Sequence, residues 1–244
     1  MKKKLTTLSI ALLVFTTPLM SQKQVYFGLA GAGLISVITN QNNYTLDFKL
    51  AYKVAVGGSV NANMGFDFNN NLGLKLEIGF AKLGQRYQDT HMDTMYTRNI
   101  KLNYLQIPLM FKYRTMGEVA KFYVMAGPQF DILLSARQKY LKQDEFFDDP
   151  VPGTWSKPTV IGQETITDRY HSLDILGRMD LGVDITVASN LFLNVGLTMA
   201  YGFIDINAPD WQISNDNENY NPSHNIYGGI NFGINYMLPL VAKK

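Results

Sequence analysis

Cysteine is absent from all 244 residues, which excludes disulfides, thiolate metal sites, cysteine nucleophiles and a lipidated N-terminal cysteine, and leaves export open. Charge is sparse as well, with 17% of residues Asp, Glu, Lys or Arg. Beyond the N-terminal region no stretch approaches the roughly 20 consecutive apolar residues of a spanning helix. If such a chain enters a membrane, one backbone arrangement remains that satisfies its own hydrogen bonds there, a closed β-barrel.

The basic excess is confined to the start. Lys2, Lys3 and Lys4 precede an apolar run over residues 8–15, Pro18 closes it, and residues 19–21 form a cleavage-like end. Residues 1–21 therefore read as a secretory signal peptide, and residues 22–244 as the mature domain. Removing three of the 22 basic residues leaves 19 against 20 acidic ones. No basic patch with interleaved aromatics remains, so nucleic acid is not an expected partner.

What the chain does have is a period of two. In "SLDILGRMDLGVDITV", residues 172–187, Leu173, Ile175, Met179, Leu181, Val183 and Ile185 alternate with Asp174, Arg178, Asp180 and Asp184. That is a strand with one apolar and one charged face. The same pattern recurs over residues 54–68, 72–81, 104–114, 122–137, 191–206 and 226–238, with a first strand over 25–38. Eight strands are expected. In the last two of them the face opposite the aliphatics is small or polar throughout.

A soluble sandwich would turn the aliphatics inward, whereas a membrane barrel turns them to lipid. The connections decide between them. Short links fall at 69–71, 115–120 and 188–190, and long ones at 39–51, 85–99, 138–171 and 207–224. This alternation is that of an outer-membrane barrel with short periplasmic turns, long external loops and both termini periplasmic. On the apolar face, Phe27, Phe66, Phe68, Phe111, Tyr113, Phe122 and Tyr236 fall toward one interface, and Tyr52, Phe80, Phe130, Tyr201 and Phe203 toward the other.

The fold class is thus all-β, an eight-stranded antiparallel transmembrane β-barrel whose expected surroundings are outer-membrane lipids. Its enclosed charges, Lys75, Glu77, Lys112, Arg114, Asp131, Arg137, Asp174, Arg178, Asp180 and Asp184, should form a paired interior network rather than a conduction path, because eight strands leave too little bore for a porin.

"YLQIPLMFKYR" (104–114) places Pro108 inside a strand, where a bulge or locally open hydrogen bonding is expected. Together with "FYVMAGPQF" (122–130) it resembles the paired signature of PorT-type outer-membrane barrels of Bacteroidota, within the wider class of OmpX/OmpA-like eight-stranded barrels. The resemblance implies an integral outer-membrane component needed for type IX secretion, with secretion-system proteins as partners. "NFGINYML" is similar to the C-terminal signal read by the outer-membrane assembly machinery, with Asn231, Gly233, Tyr236 and Leu238 in place. The chain departs from that pattern by running on to Lys244.

Two rival classes remain: a surface adhesion or envelope-stability barrel, and a lipid A-modifying enzyme active at the external rim. For the enzyme, His91, His171 and His224 lie in or beside the expected external loops, near Ser172, Ser223, Asp93 and Asp168. No motif fixes their geometry, and the non-enzymatic reading is preferred. His91 and Asp93 alone lack the further ligands of a zinc site, so no metal or cofactor is expected. Phe146, Phe147 and Trp155 in the third long loop and Trp211 in the fourth are candidate partner contacts.

Overall fold

The computed structural model describes residues 24–40, 44–45, 48–144, 155–213 and 219–239. The expected signal peptide and the candidate contacts Phe146 and Phe147 lie outside these residues. Eight long strands dominate: β1 Gln24–Ile38, β2 Ala55–Asp67, β3 Leu72–His91, β4 Thr94–Arg114, β5 Ala120–Asp144, β6 Leu173–Ala188, β7 Leu191–Gly202 and β8 Asn225–Pro239. Each pairs antiparallel with its chain neighbour, and β8 returns to β1 in a continuous register from Gln24↔Pro239 to Ile38↔Asn225. The sheet is a closed ring with no edge in its wall, as the alternation predicted.

Period-two sequence becomes a two-faced wall. Outward stand Leu29, Val60, Ile78, Leu181, Leu197, Ile230 and Phe232, all well exposed. Inward stand Asn61, Lys75, Glu77, Lys112, Asp180 and Asn231, each at most 5% exposed. A water-soluble fold buries the first set, so this inversion requires an apolar surrounding. Among the described residues no helix is long and apolar enough to cross a membrane.

Aromatics collect near both ends of the apolar band. Phe27 lies opposite Tyr236, and Phe111, Tyr113 and Phe122 ring the same turn-side end, while Phe80, Phe130, Tyr201 and Phe203 mark the other. Tyr52 is an exception to the expected outward face. It stands opposite Tyr87, an inward residue, with the two rings edge-to-face at 5.1 Å.

The expected loop over 85–99 is instead sheet. β3 and β4 continue in register to His91↔Thr94 and turn through Met92 and Asp93, whose φ values of 47° and 59° make a tight two-residue reversal. β5 also runs on to Asp144 and pairs with a further strand, Thr159–Thr165. Ala51–Lys53 pairs with the far side of β3. A five-stranded sheet therefore stands beyond the ring on the loop side.

Pro108 does not make a bulge. Pairing of β3 with β4 stops after Leu76↔Leu109 and resumes in unchanged register at Gly79↔Gln106, the locally open ladder that a missing N–H imposes. The bulge is elsewhere, where Asn103↔Ser135 steps to Tyr104↔Leu133 and leaves Leu134 unpaired. That extra residue exchanges the faces of β5 above it.

Candidate functional site

The turn-side half of the lumen is built from charges that balance. Arg178 holds Asp180 bidentately, Nε to Oδ1 at 2.9 Å and Nη2 to Oδ2 at 2.8 Å, because residues two apart in a strand share a face. Its Nη1 donates to Glu77 at 3.1 Å, and Lys75 reaches the other Glu77 oxygen at 2.7 Å. Nearer the turns Arg114 donates to Asp67 at 2.6 Å, and Lys112 pairs with Asp184. Four cations thus meet four carboxylates, all nearly solvent-free.

Neutral groups fill the space between them. Thr198 donates to Asp180, Asn61 to Glu77, Tyr123 to Asn231 and Asn235 to Asn194. Lys112 Nζ sits among the rings of Tyr26, Tyr123 and Phe192, 5.0 to 5.5 Å from their centroids. Gly65 makes room for Tyr26: a Cβ there would lie 1.9 Å from the ring. The residual cavity among Asn61, Lys75, Glu77, Arg178 and Asn194 measures about 10 Å3, close to the space one water needs.

Asp131 and Asp174 belong to the lumen but not to the ion pairs. They are direct cross-strand partners, and amides serve them, Gln106 and Gln129 for Asp131 and Asn225 for Asp174. Above them the inward face departs from the expected small or polar character. Leu34, Ile38, Leu83, Tyr87, Ile100, Leu102 and Leu176 form one buried apolar cluster, joined by Leu50, Ile166, Tyr170 and Ile206 from the connecting segments. The mouth of the ring is stoppered.

The segments over this stopper are tied together. Tyr170 bridges to Asn207, Ala208 N–H donates to the Arg169 carbonyl at 3.0 Å, and the Arg169 guanidinium lies 4.3 Å from the Trp211 ring centre. Asp205 accepts from Tyr220 Oη at 2.7 Å and from the Ser223 and Asn207 amides. Burial, then the hydrogen bond to Asp205, pushes the Tyr220 phenol up to about 12. Burial does the same for Tyr170, to about 12, against the pull of Arg98 and Arg169.

Nine of the ten expected interior charges are therefore where the alternation placed them. Arg137 is not: the bulge at Leu134 turns it outward, where it is exposed. Asp67 belongs to the network and was not among the expected residues, although it shares its face with Asn61 and Asn63. Of the assembly-signal residues, Asn231 and Gly233 face inward and Tyr236 and Leu238 outward near the turn-side end. Trp155 lies at the base of the third loop, beside Ser156, whose N–H donates to the Asp144 carbonyl.

The residues of the enzymatic reading fall in two places, His91 apart from the rest and His171 and Ser223 on either side of Ile206, whose N–H donates to the Ser223 carbonyl. His91 sits at the hairpin tip, His171 donates its N–H to the Ile206 carbonyl, and His224 Nδ1 lies 3.0 Å from the Ile204 carbonyl oxygen. Ser223 is buried and accepts from Asn207. Among the described residues no three His, Asp or Glu side chains converge as metal ligands.

A family model described as an outer membrane protein beta-barrel domain matches residues 18–208. No curated protein matches the chain. Among solved structures the chain is similar to Neisserial surface protein A, with 14% identity, 87% of this chain and 96% of that one covered, and a TM-score of 0.43. OprG from Pseudomonas aeruginosa shares 12% identity over 90% of this chain and 97% of its own, with a TM-score of 0.41. Ail of Yersinia pestis, in complex with the heparin analogue sucrose octasulfate, shares 11% over 89% and 100%, with a TM-score of 0.33.

Proposed function

The chain belongs to the outer-membrane β-barrel protein family, and from that premise we propose that it is a non-enzymatic, non-conducting anchor that holds a β-sheet outside the membrane for other envelope proteins to dock on. The turns then lie in the periplasm with both termini, and the stoppered mouth faces outward. The observation that carries this reading is the filled lumen: charges neutralised by charges on the turn side and an apolar stopper on the loop side. Such an interior gives the wall rigidity and leaves function to the outside.

The first partner class is the type IX secretion machinery, supported by the resemblance of residues 104–114 and 122–130 to PorT-type barrels. Deleting the gene and measuring secreted cargo in the medium tests it. Cargo retained in the cells is the expected result, and unchanged export removes this assignment.

A second reading, surface adhesion or envelope stability, draws on the strand Thr159–Thr165. It pairs with β5 on one side only among the described residues, and Val160 and Ile161 are about half exposed. An unpaired, partly apolar edge is where a partner strand adds. Under this reading Ile161→Pro lowers adhesion of whole cells and leaves export unchanged.

A further inference from the structure

Outside the lumen, the outward wall of β3 to β5 changes character abruptly, while on neighbouring β2 Val56 stays apolar and exposed. Phe80, Leu105 and Ile132 form its last paired apolar row, with the bulged, exposed Leu134 just above it. The next row carries Lys82 beside Asn103 and Ser135, and the one above it Lys101 directly opposite Arg137. Lys53, Arg86 and Lys139 follow one row further on. No carboxylate stands in these rows among the described residues, and none of the described ion pairs uses these cations.

Two like charges directly opposite across a ladder destabilise a sheet. Here the repulsion is created by the bulge at Leu134, which turns Arg137 and Lys139 out beside Lys101 instead of into the apolar mouth. Below Lys82 the wall is dented. Gly58 puts no side chain outward, and an open groove of about 490 Å3 runs between Val60, Phe80, Lys82 and Asn103. Apolar floor and cationic rim meet at Lys82, the order in which an acyl chain joins its headgroup.

We propose that this wall binds the phosphorylated headgroup of an outer-leaflet lipid. Lys101 and Arg137 grip the phosphate, Arg137 through its paired N–H donors, and Lys82 flanks it. An acyl chain lies in the groove along Val60 and Phe80. The lipid relieves the Lys101 and Arg137 repulsion and ties the projecting sheet to the membrane surface. The site rests on the membrane reading given above.

The test uses the full mature chain refolded into phospholipid vesicles, where insertion is first scored by protease protection and gel mobility. Failure to insert overturns the membrane reading and this site with it. Inserted protein is then extracted and bound lipid counted by native mass spectrometry with bisphosphorylated lipid A, the same lipid stripped of phosphate, and inositol hexakisphosphate as a soluble polyanion. Lys101→Gln/Arg137→Gln should bind bisphosphorylated lipid A about tenfold more weakly, since each cation near an anionic surface contributes appreciably. Lys121→Gln/Lys157→Gln, the same change in charge elsewhere, should bind it normally. Equal retention by wild type and the Lys101/Arg137 variant overturns the site, as does equal retention of the phosphate-free lipid. Binding of the soluble polyanion as tightly as the lipid overturns the lipid assignment.

Discussion

Along β3 and β4 the inward face carries Lys75, Glu77, Lys112 and Arg114 toward the turns but Leu83, Tyr87, Ile100 and Leu102 toward the loops. Both stretches are enclosed by the same wall, yet they are held by different physics. The charged half is made of strand residues alone, fixed by ladder register, and each ion is costly unless its partner is present. The apolar half is completed by Leu50, Ile166, Tyr170 and Ile206 from connecting segments, so its stability depends on those segments docking. A ring that is rigid below and capped above follows. The cap is the part that can open without breaking the barrel.

The largest expected effect separates the halves by attacking the ion pairs. Arg178→Gln leaves Asp180 without a cation and Glu77 with Lys75 alone in an enclosed space, and removal of one member of a buried pair costs about 3–5 kcal/mol. Denaturant unfolding in detergent, followed by gel mobility, should show that loss. Adding Asp180→Asn leaves the neutral Lys75 and Glu77 pair and should restore more than half of it, the non-additivity of directly coupled residues. Equal midpoints for wild type and Arg178→Gln would mean the network contributes nothing.

The converse attack leaves the charges alone. Ile166→Ala and Ile206→Ala each remove buried aliphatic surface, at about 2–5 kcal/mol for a closely packed site. The loss should be confined to the cap, appearing as new protease cleavage over residues 155–172 and 203–213 while the unfolding midpoint of the ring stays put. Coincident loss of both would join the halves into one cooperative unit. A smaller change tests how tightly the lower half is filled: Gly65→Ala drives a methyl into the Tyr26 ring, and overpacking of this kind costs about 1–3 kcal/mol. The ring midpoint should fall while the cap keeps its protease resistance.

The ring was legible because alternation with a single period is a strong signal, and residues 172–187 carry it without interruption. Nine of ten interior charges follow from that period alone. Arg137 does not, because one unpaired residue, Leu134, reverses parity and a bulge leaves no mark in composition. The apolar mouth was illegible for a related reason. Leu83, Ile100 and Leu102 are inward by parity, but inward apolar residues break the rule by which lipid-facing and lumen-facing sides are told apart, and so that region reads as loop. What they pack against comes from residues such as Ile166 and Tyr170, far off in sequence and in no periodic segment.

Alkali offers the gentlest way to divide the two regions. Tyr170 and Tyr220 both have phenols raised from 10.0 to about 12 in the folded cap. A group whose folded pKa is raised stabilises fully below its unfolded value and loses that contribution as pH climbs toward the folded one. Between pH 10 and about 12 the undocked segments therefore lose protons that the docked cap retains, and docking weakens across that window. Tyr220 is also bonded to Asp205 at 2.7 Å, so its ionisation sets two negative charges against each other. Protease sensitivity over residues 155–172 and 203–213 should rise through that window in wild type and less in Tyr220→Phe, which keeps the ring but has no proton to lose. A Tyr220→Phe profile identical to wild type would place the alkaline sensitivity elsewhere in the cap.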